Sequence, residues 1–301
     1  MKQEKDIQMS SETRLSVKKT YKLFIGGQFP RTESGRSFHF ESKDRSFQTN
    51  LCLASRKDFR NAVKAARGAF KGWSEKATPM LRGQILYRMA EILEDRRVHF
   101  TEELSFEGLS QKEATSQVDL AIDRLIHYAG WADKYQQIFS SVNPVQTPYF
   151  NFSALEPMGV ITAMAATETK ESSLLELVSA MAPVIVGGNT LVYLASKKTP
   201  LTAISFAEVL QASDLPAGVV NILTGDETEL LTHIAGHMDV NAVLYLGSEG
   251  ESLNNLKLLA VQNLKRVVHE ETPDWKNPNT ESPYWIQNFQ EVKTTWHPIG
   301  Q

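Results

Sequence analysis

The sequence predicts an α/β protein: a parallel sheet with helices packed on both faces. Two observations carry that expectation. From Pro157 onward, short apolar runs alternate with segments of helical periodicity, the order that builds parallel strands joined by helical crossovers. Before that, from Ser55 to about Tyr135, apolar residues recur every three or four positions. Those helices are amphipathic, so each must lay its apolar stripe on something larger than itself.

The elements follow in order. Residues 1–20 are polar and read as a disordered tail with no apolar leader segment. Tyr21 to Gly27 reads as a short strand entering a Gly-Gly turn, and residues 31–50 as polar and irregular. Ser55 with Asp58 three residues later forms a capping box, and Phe59, Val63, Ala66, Phe70 and Trp73 then make one helical stripe. Thr78-Pro79 opens a second helix, whose stripe is Leu81, Ile85, Met89 and Ile92. A third runs from about Glu113 to Tyr135 through Val118, Ile122, Leu125 and Ala129. Strands are then expected at Gly159–Ala166, Thr190–Leu194, Val219–Leu223 and Ala242–Leu246, with helices from about Ser172, Thr199 and Glu227 between them. Pro273, Pro278 and Pro283 break regular structure, and Phe289 to Trp296 is a last strand ended by Pro298.

Composition excludes several classes of function. The 301 residues are 42% hydrophobic and 22% charged with a net charge of -3, an ordinary globular profile that argues against nucleic-acid binding. No apolar run approaches the roughly 20 residues of a membrane helix. There is one cysteine, Cys52, so neither an internal disulfide nor a cysteine-rich zinc site is expected.

Ligands of a doubly wound sheet lie beyond the carboxyl ends of its strands. The loops after Ala166, Leu194, Leu223 and Leu246 are therefore the places to search. The first contains no glycine and two glutamates, and the last sets Glu249 and Glu251 where an anion would approach a helix start. For both, a plain strand-to-helix turn outweighs a phosphate site, and neither phosphate-loop glycine pattern occurs in the chain. His233 and His237 lie one helical turn apart without a third ligand at telling spacing, so a solvated or capping role outweighs metal binding. Cys52 precedes the first helix without a helper residue and reads as an inert thiol, and Ser248 lacks the nucleophile-elbow context. No metal is expected.

The order of short motifs carries a resemblance. Glu156-Pro-Met-Gly-Val160, Ala182-Pro183, Gly188-Asn189-Thr190, Thr199-Pro200-Leu201, Leu215-Pro-Ala-Gly-Val219-Val-Asn221, Thr224-Gly225, His237-Met-Asp-Val240, Gly247-Ser248 and Asn263-Leu264-Lys265 together resemble the aldehyde dehydrogenase superfamily over about residues 21–270. The C-terminal stretch from Lys293 to Gly300 makes the likeness strongest to the C-terminal, dehydrogenase-like half of family 16 aldehyde dehydrogenases. The resemblance implies a Rossmann-like, degenerate NAD-binding-type domain at 21–270. It also implies an oligomerisation hairpin at about 137–158, and a linker with a C-terminal oligomerisation strand at 271–301.

Departures from the family pattern shape the functional expectation. Lys170-Glu171-Ser172 stands where the family has Trp-Asn-Phe, so Glu171 replaces an oxyanion-holding asparagine and would repel the oxyanion. Leu194-Ala195-Ser196-Lys197 stands where Lys-Pro-Ser-Glu binds the adenosine ribose, leaving Ser196 as a vestige. Gly247-Ser248-Glu249 replaces Gly-Ser-Thr, leaving Gly247 and Ser248. Glu270 falls on the general-base glutamate, but Glu271-Thr272-Pro273 replaces the Gly-Gly-Lys that should follow, and the family's nucleophilic cysteine has no counterpart. Three lost charged hydrogen bonds, at roughly 1.5–3 kcal/mol each, match the roughly 8 kcal/mol of a micromolar complex. No cofactor is therefore expected, with NAD binding weak or absent. The expected function is that of a non-catalytic module acting by association with a protein partner or with itself as a dimer. The alternative is an NAD(P)-dependent aldehyde oxidoreductase that oxidises an aldehyde to a carboxylic acid, as part of a longer two-module chain. The absence of targeting patterns and the low cysteine usage suggest a cytoplasmic location.

Overall fold

The computed structural model describes residues 18–166, 173–271 and 273–300, so the expected tail at 1–17 lies outside the described residues. A two-stranded antiparallel ribbon comes first, β1 (Ser37–Glu41) paired with β2 (Gln48–Cys52). It occupies the stretch expected to be irregular. Its alternation is weak because only Phe40 and Leu51 of its side chains are buried. Ile25 and Gln28 exchange both backbone hydrogen bonds across Gly26-Gly27, at 3.0 and 3.1 Å, and the Leu23 amide donates to the Pro30 carbonyl at 3.1 Å, so the expected Gly-Gly turn is formed, with isolated bridges in place of extended strands. Tyr21 also bridges Leu51 and Phe24 bridges Ile222, which pins the segment to β2 and to the main sheet.

Helices then follow as α1 (Arg56–Lys71), α2 (Pro79–Asp95), α3 (Arg97–Phe106), α4 (Gln111–Trp131) and the short α5 (Tyr135–Phe139). The Ser55–Asp58 capping box is present, and the Thr78 hydroxyl accepts from the Leu81 amide with Pro79 in the first turn. Ser110 and Glu113 form a second box at the start of α4. The chain next forms β3 (Ser141–Asn143) and β4 (Tyr149–Pro157).

The main unit is β5 (Val160–Met164), α6 (Ser173–Val186), β6 (Thr190–Ala195), α7 (Leu201–Ala212), β7 (Val220–Thr224), α8 (Glu227–Gly236), β8 (Ala242–Tyr245), α9 (Glu251–Ala260) and β9 (Arg266–His269). Its sheet has the order β7-β6-β5-β8-β9, and every pair is parallel. After α10 (Tyr284–Gln287), β10 (Gln290–Pro298) pairs antiparallel with β4 in a second sheet of order β10-β4-β3.

Side chains alternate across the parallel sheet with period two. Ile161, Ala163, Leu191, Tyr193, Val220 and Ile222 pack into the core with α2, α4, α6 and α7. Val160, Met164, Val192, Leu194 and Leu223 point the other way, onto α1, α8 and α9. Both faces are buried, which is why these strands read as continuous apolar runs. Gly159 opens β5 at φ +137, where a Cβ would stand 2.2 Å from Asn241 Oδ1. That oxygen accepts from the Val160 amide, so only glycine lets the chain enter the sheet past it. Among the described residues, no helix is long and apolar enough to cross a membrane.

Candidate functional site

Strand order reverses at β5: the chain runs outward through β6 and β7 and returns to place β8 on the other side of β5. A crevice at the carboxyl ends of such strands is the normal ligand position in this architecture. A cleft of about 540 Å³ lies there. Its walls are Met164 and Ala165 after β5, Leu194 to Lys198 after β6, Gly225 to Thr228 after β7, and Tyr245 with Ser248 to Ser252 after β8. Three of the four loops singled out by the sequence thus meet in one cavity, of a size suited to a small organic ligand.

Each loop holds its polar groups in a defined way. The Ser196 hydroxyl accepts from the Lys198 amide at 3.2 Å and folds the chain back at the end of β6. Asp226 caps α8, its Oδ1 accepting from the Thr228 amide at 3.0 Å and from the Thr228 hydroxyl at 2.6 Å. Its Oδ2 receives Lys197 Nζ at 3.0 Å. The Thr228 hydroxyl first, then Lys197, hold its carboxyl down at about 2. Lys197 Nζ also sits 5.8 Å from the centre of the Phe38 ring of β1. Tyr245 lies under the cleft and donates to Glu227 Oε1 at 2.8 Å. Burial, reinforced by Glu227, pushes that phenol up to about 12. Gly247 passes so close to this ring that a Cβ would meet the Tyr245 oxygen at 2.5 Å.

The other expected site residues scatter. Ser196, Gly247 and Ser248 fall in the loops that form the cleft, with Ser196 and Ser248 in its wall. Lys170, Glu171 and Ser172 lie outside the described residues. Glu270 follows β9, is exposed, and donates its amide to the Tyr245 carbonyl at 3.3 Å. Cys52 ends β2; it packs on the α1–α8 core and does not line the cleft. His233 and His237 border a separate hollow between α1 and α8. Among the described residues, no three His, Cys, Asp or Glu side chains gather as a metal site requires. Asp226, Thr228, Tyr245 and Ser252 were not singled out in the sequence, yet all four stand in the wall. Their common signal is nearness to a strand's carboxyl end: Asp226 and Thr228 follow β7, Tyr245 ends β8, and Ser252 lies in the first turn of α9 after it.

The donor set suits a hydroxylated, partly anionic ligand. Hydroxyls of Ser196, Thr228, Ser248 and Ser252 and the ammonium groups of Lys197 and Lys198 line the space. Glu249 and Glu251 stand at the α9 end, and both are exposed.

Comparison with known proteins places this arrangement. The pattern that defines the Aldehyde dehydrogenase family matches residues 36–272. The cytosolic 10-formyltetrahydrofolate dehydrogenase of Xenopus laevis is 30% identical over 262 residues, which are 85% of this chain and 29% of that protein. An aldehyde dehydrogenase of Aspergillus niger is 32% identical, over 82% of this chain and 49% of its own length. The chain thus spans about half or less of the length of the curated relatives it matches. An aldehyde dehydrogenase of Bacillus cereus superposes with a TM-score of 0.78 at 25% identity, covering 84% of this chain and 51% of that one. Its structure as an NAD+ complex superposes with a TM-score of 0.77. This overturns the expectation that no cofactor is involved. The strand-end cleft is present in this chain although Leu194, Lys197 and Glu249 in its wall depart from the family pattern. The matched span and the parallel sheet lead to one assignment: the chain belongs to the aldehyde dehydrogenase family.

Proposed function

We propose that this chain is a dinucleotide-binding module of the aldehyde dehydrogenase family that turns over no aldehyde with its own side chains and acts by association with a second polypeptide, a copy of itself or a partner. One observation carries the reading: Cys52, the chain's single thiol, is packed against the α1–α8 core and not presented to the cleft. In this proposal residues 21–270 are the cofactor-type domain and 271–301 the linker and assembly strand. Ser196, Lys197, Lys198 and Thr228 would hold the adenosine end of a nicotinamide dinucleotide. When bound, the nicotinamide ring supplies hydride acceptance. Association is supported by the sheet β10-β4-β3, where Tyr149, Phe150, Val292 and Trp296 remain exposed. A second reading, an NAD(P)-dependent aldehyde oxidoreductase in a larger assembly, is favoured by Glu270. That carboxylate is exposed at the end of β9 beside β8, where a base could act.

Two measurements on the same sample separate the readings. Sedimentation at micromolar concentration is expected to show a species larger than the monomer, and a dehydrogenase assay with NAD+ or NADP+ and simple aldehydes no turnover. Turnover that survives Cys52→Ala and is lost in Glu270→Gln establishes the second reading. A strictly monomeric chain that meets no partner removes the first.

A further inference from the structure

A second hollow, of about 410 Å³, lies between α1 and α8 and shares no residue with the strand-end cleft. Arg56, Lys57 and Arg60 of α1 line one side of it, and Thr232, His233 and His237 at the end of α8 line the other. No lining residue carries a carboxylate. The carboxylates of the neighbouring segments are engaged elsewhere. Glu33 is paired with Lys57, and Glu229, one turn before His233, takes Arg36 on its two oxygens at 2.6 and 3.1 Å. Asp239 faces Arg67 at 3.9 Å, and the buried Asp58 accepts from the Thr32 hydroxyl and from the Glu33 and Ser55 amides. Arg56 and Arg60 are both exposed, and their side chains make no hydrogen bond or ion pair among the described residues. This arrangement repels itself. Arg56 and Arg60 are like charges four positions apart on one helix. Arg56 and Lys57 also stand in the first turn of α1, at the positive end of its dipole. Ser55 and Asp58 already cap that turn, so side chains and not free helix amides give the hollow its character. A concave site lined by one sign of charge focuses the field on its contents.

We propose that this hollow is a binding site for a small organic diphosphate, with Arg56 and Arg60 taking one phosphate each. A guanidinium presents a planar fork that meets a phosphate with two parallel bonds. Residues one helical turn apart stand about 5–6 Å from each other at Cβ, a separation that two linked phosphates can bridge. The opposite wall supplies donors. His237 Nδ1 accepts from the Asp239 amide at 3.2 Å, so the ring proton sits on Nε2, which donates. Edge-on packing against Phe59, at 5.8 Å between ring centres, holds that ring in the wall. The exposed Thr232 hydroxyl adds another donor. The hollow is large enough for an organic group besides the phosphates. An anion seated there offsets the repulsion along α1, which gives binding a source of free energy beyond the new hydrogen bonds.

Calorimetric titration of the full chain with inorganic pyrophosphate, in metal-free buffer at low salt, tests the proposal. One site per chain is expected, with affinity that falls as salt rises. An exposed charged pair contributes up to about fivefold in affinity. Inorganic phosphate, which can engage only one guanidinium fully, should therefore bind about fivefold more weakly than pyrophosphate. Arg60→Gln should weaken pyrophosphate about fivefold and Arg56→Gln/Arg60→Gln about twentyfold. Lys112→Gln removes a positive charge on α4, outside the hollow, and should leave the affinity within about twofold. Without ligand, the double variant should unfold in urea at a midpoint no lower than the parent's, because it relieves repulsion; the single variant keeps the test available if the double one misfolds. Absence of binding at millimolar pyrophosphate, or binding that the arginine variants retain, overturns the site. Equal weakening by Lys112→Gln and Arg60→Gln would trace the binding to overall charge and overturns it as well. Phosphate binding as tightly as pyrophosphate removes the diphosphate assignment. A lowered midpoint in both arginine variants would make the two side chains supports of the fold and sink the proposal.

Discussion

Glu107 shows what a single side chain does in this fold. It follows α3, is fully enclosed, and accepts from the Leu201 amide at 2.6 Å, the Thr202 hydroxyl at 3.0 Å and the Ser173 hydroxyl at 2.7 Å. The carboxyl of one helix thus caps the start of α7, where Pro200 offers no side-chain cap. Burial outweighs these bonds and pushes Glu107 up to about 7, and burial does the same to Glu176, which accepts from the Ala166 amide and the Tyr193 hydroxyl. A folded-state value above the ordinary 4.5 means that the native protein holds the proton more tightly. The stabilisation is therefore complete below pH 4.5 and is lost as pH rises through about 7. His127 and His237, lowered by burial, act in the opposite sense below 6.5. The parent-minus-variant difference isolates the carboxyl. Thermal melts from pH 5 to 8 should show Glu107→Gln losing the Glu107 share of this slope, a span of up to roughly 2–3 kcal/mol, while the Glu176 share remains. A parallel slope in the variant refutes the assignment. Glu107→Ala should cost roughly 2–3 kcal/mol at pH 7 by stranding the α7 amides. Neither glutamate was legible in the sequence, because a glutamate is almost never fully buried and reads as solvated. Its partners are also 94 or more positions away for the α7 contacts. The loops of Ser196, Gly247 and Ser248 were legible for the opposite reason, because they follow apolar runs; the family resemblance then singled out those residues within them.

At the scale of elements, legibility followed periodicity and caps. α1 and α2 were readable because a capping side chain opens each and an apolar stripe follows, and α4 was readable from its stripe alone, its Ser110–Glu113 box going unread. α3 was not: it has no side-chain cap, and Glu103 and Thr101 are buried beside Phe100 and Leu104. β9 has four half-buried residues, too few for alternation to register. The proline-containing segment after Glu271 looked structureless, yet it is tied to α4. Arg124, 1% exposed, donates to the Trp275 carbonyl at 2.9 Å and the Ser179 hydroxyl at 2.8 Å, and approaches Glu281 at 3.3 Å. One side chain thus joins α4, α6 and the strap that leads to β10. Arg124→Ala removes the buried partner of those acceptors, at an expected cost of roughly 3–5 kcal/mol in urea unfolding. Amide hydrogen exchange in residues 275–282 should rise more than in β5 to β8. Uniform loss of protection across both regions would show that Arg124 supports the whole fold and not the strap. Gly159→Ala is a backbone counterpart: the clash with Asn241 and the positive φ predict a loss of roughly 2 kcal/mol or more by the same unfolding measurement.

The whole molecule is a closed core with one open flank. The parallel sheet is buried on both faces, but β10 forms the outer edge of the second sheet over nine residues, Gln290 to Pro298. A long edge strand with free backbone groups is a template for another chain, and single-chain proteins usually shorten, charge or cover it. The opposite edge, β3, is only three residues long, so it needs little cover. On β10, Val292 is 63% exposed and Trp296 56%, and period two puts them on one face. Tyr149 of β4 meets the Trp296 ring edge-on at 6.0 Å and is itself 40% exposed, so the aromatic surface continues across the strands. Apolar surface of this kind costs free energy in water and gains it when a partner covers it. Val292→Lys with Trp296→Lys should therefore shift sedimentation from the assembled species to the monomer at micromolar concentration. Both positions face solvent in the single chain, so the unfolding midpoint of the dissociated monomer should change by no more than about 0.5 kcal/mol per site. If the variant stays assembled with an unchanged association constant, the contact lies elsewhere than on β10. Assembly and cofactor binding can then be separated, because the cleft is built from the ends of β5 to β8 and shares no residue with β10. The dissociated variant should bind dinucleotide in calorimetry within about twofold of the parent. A large loss on dissociation would show that a neighbouring chain completes the cleft.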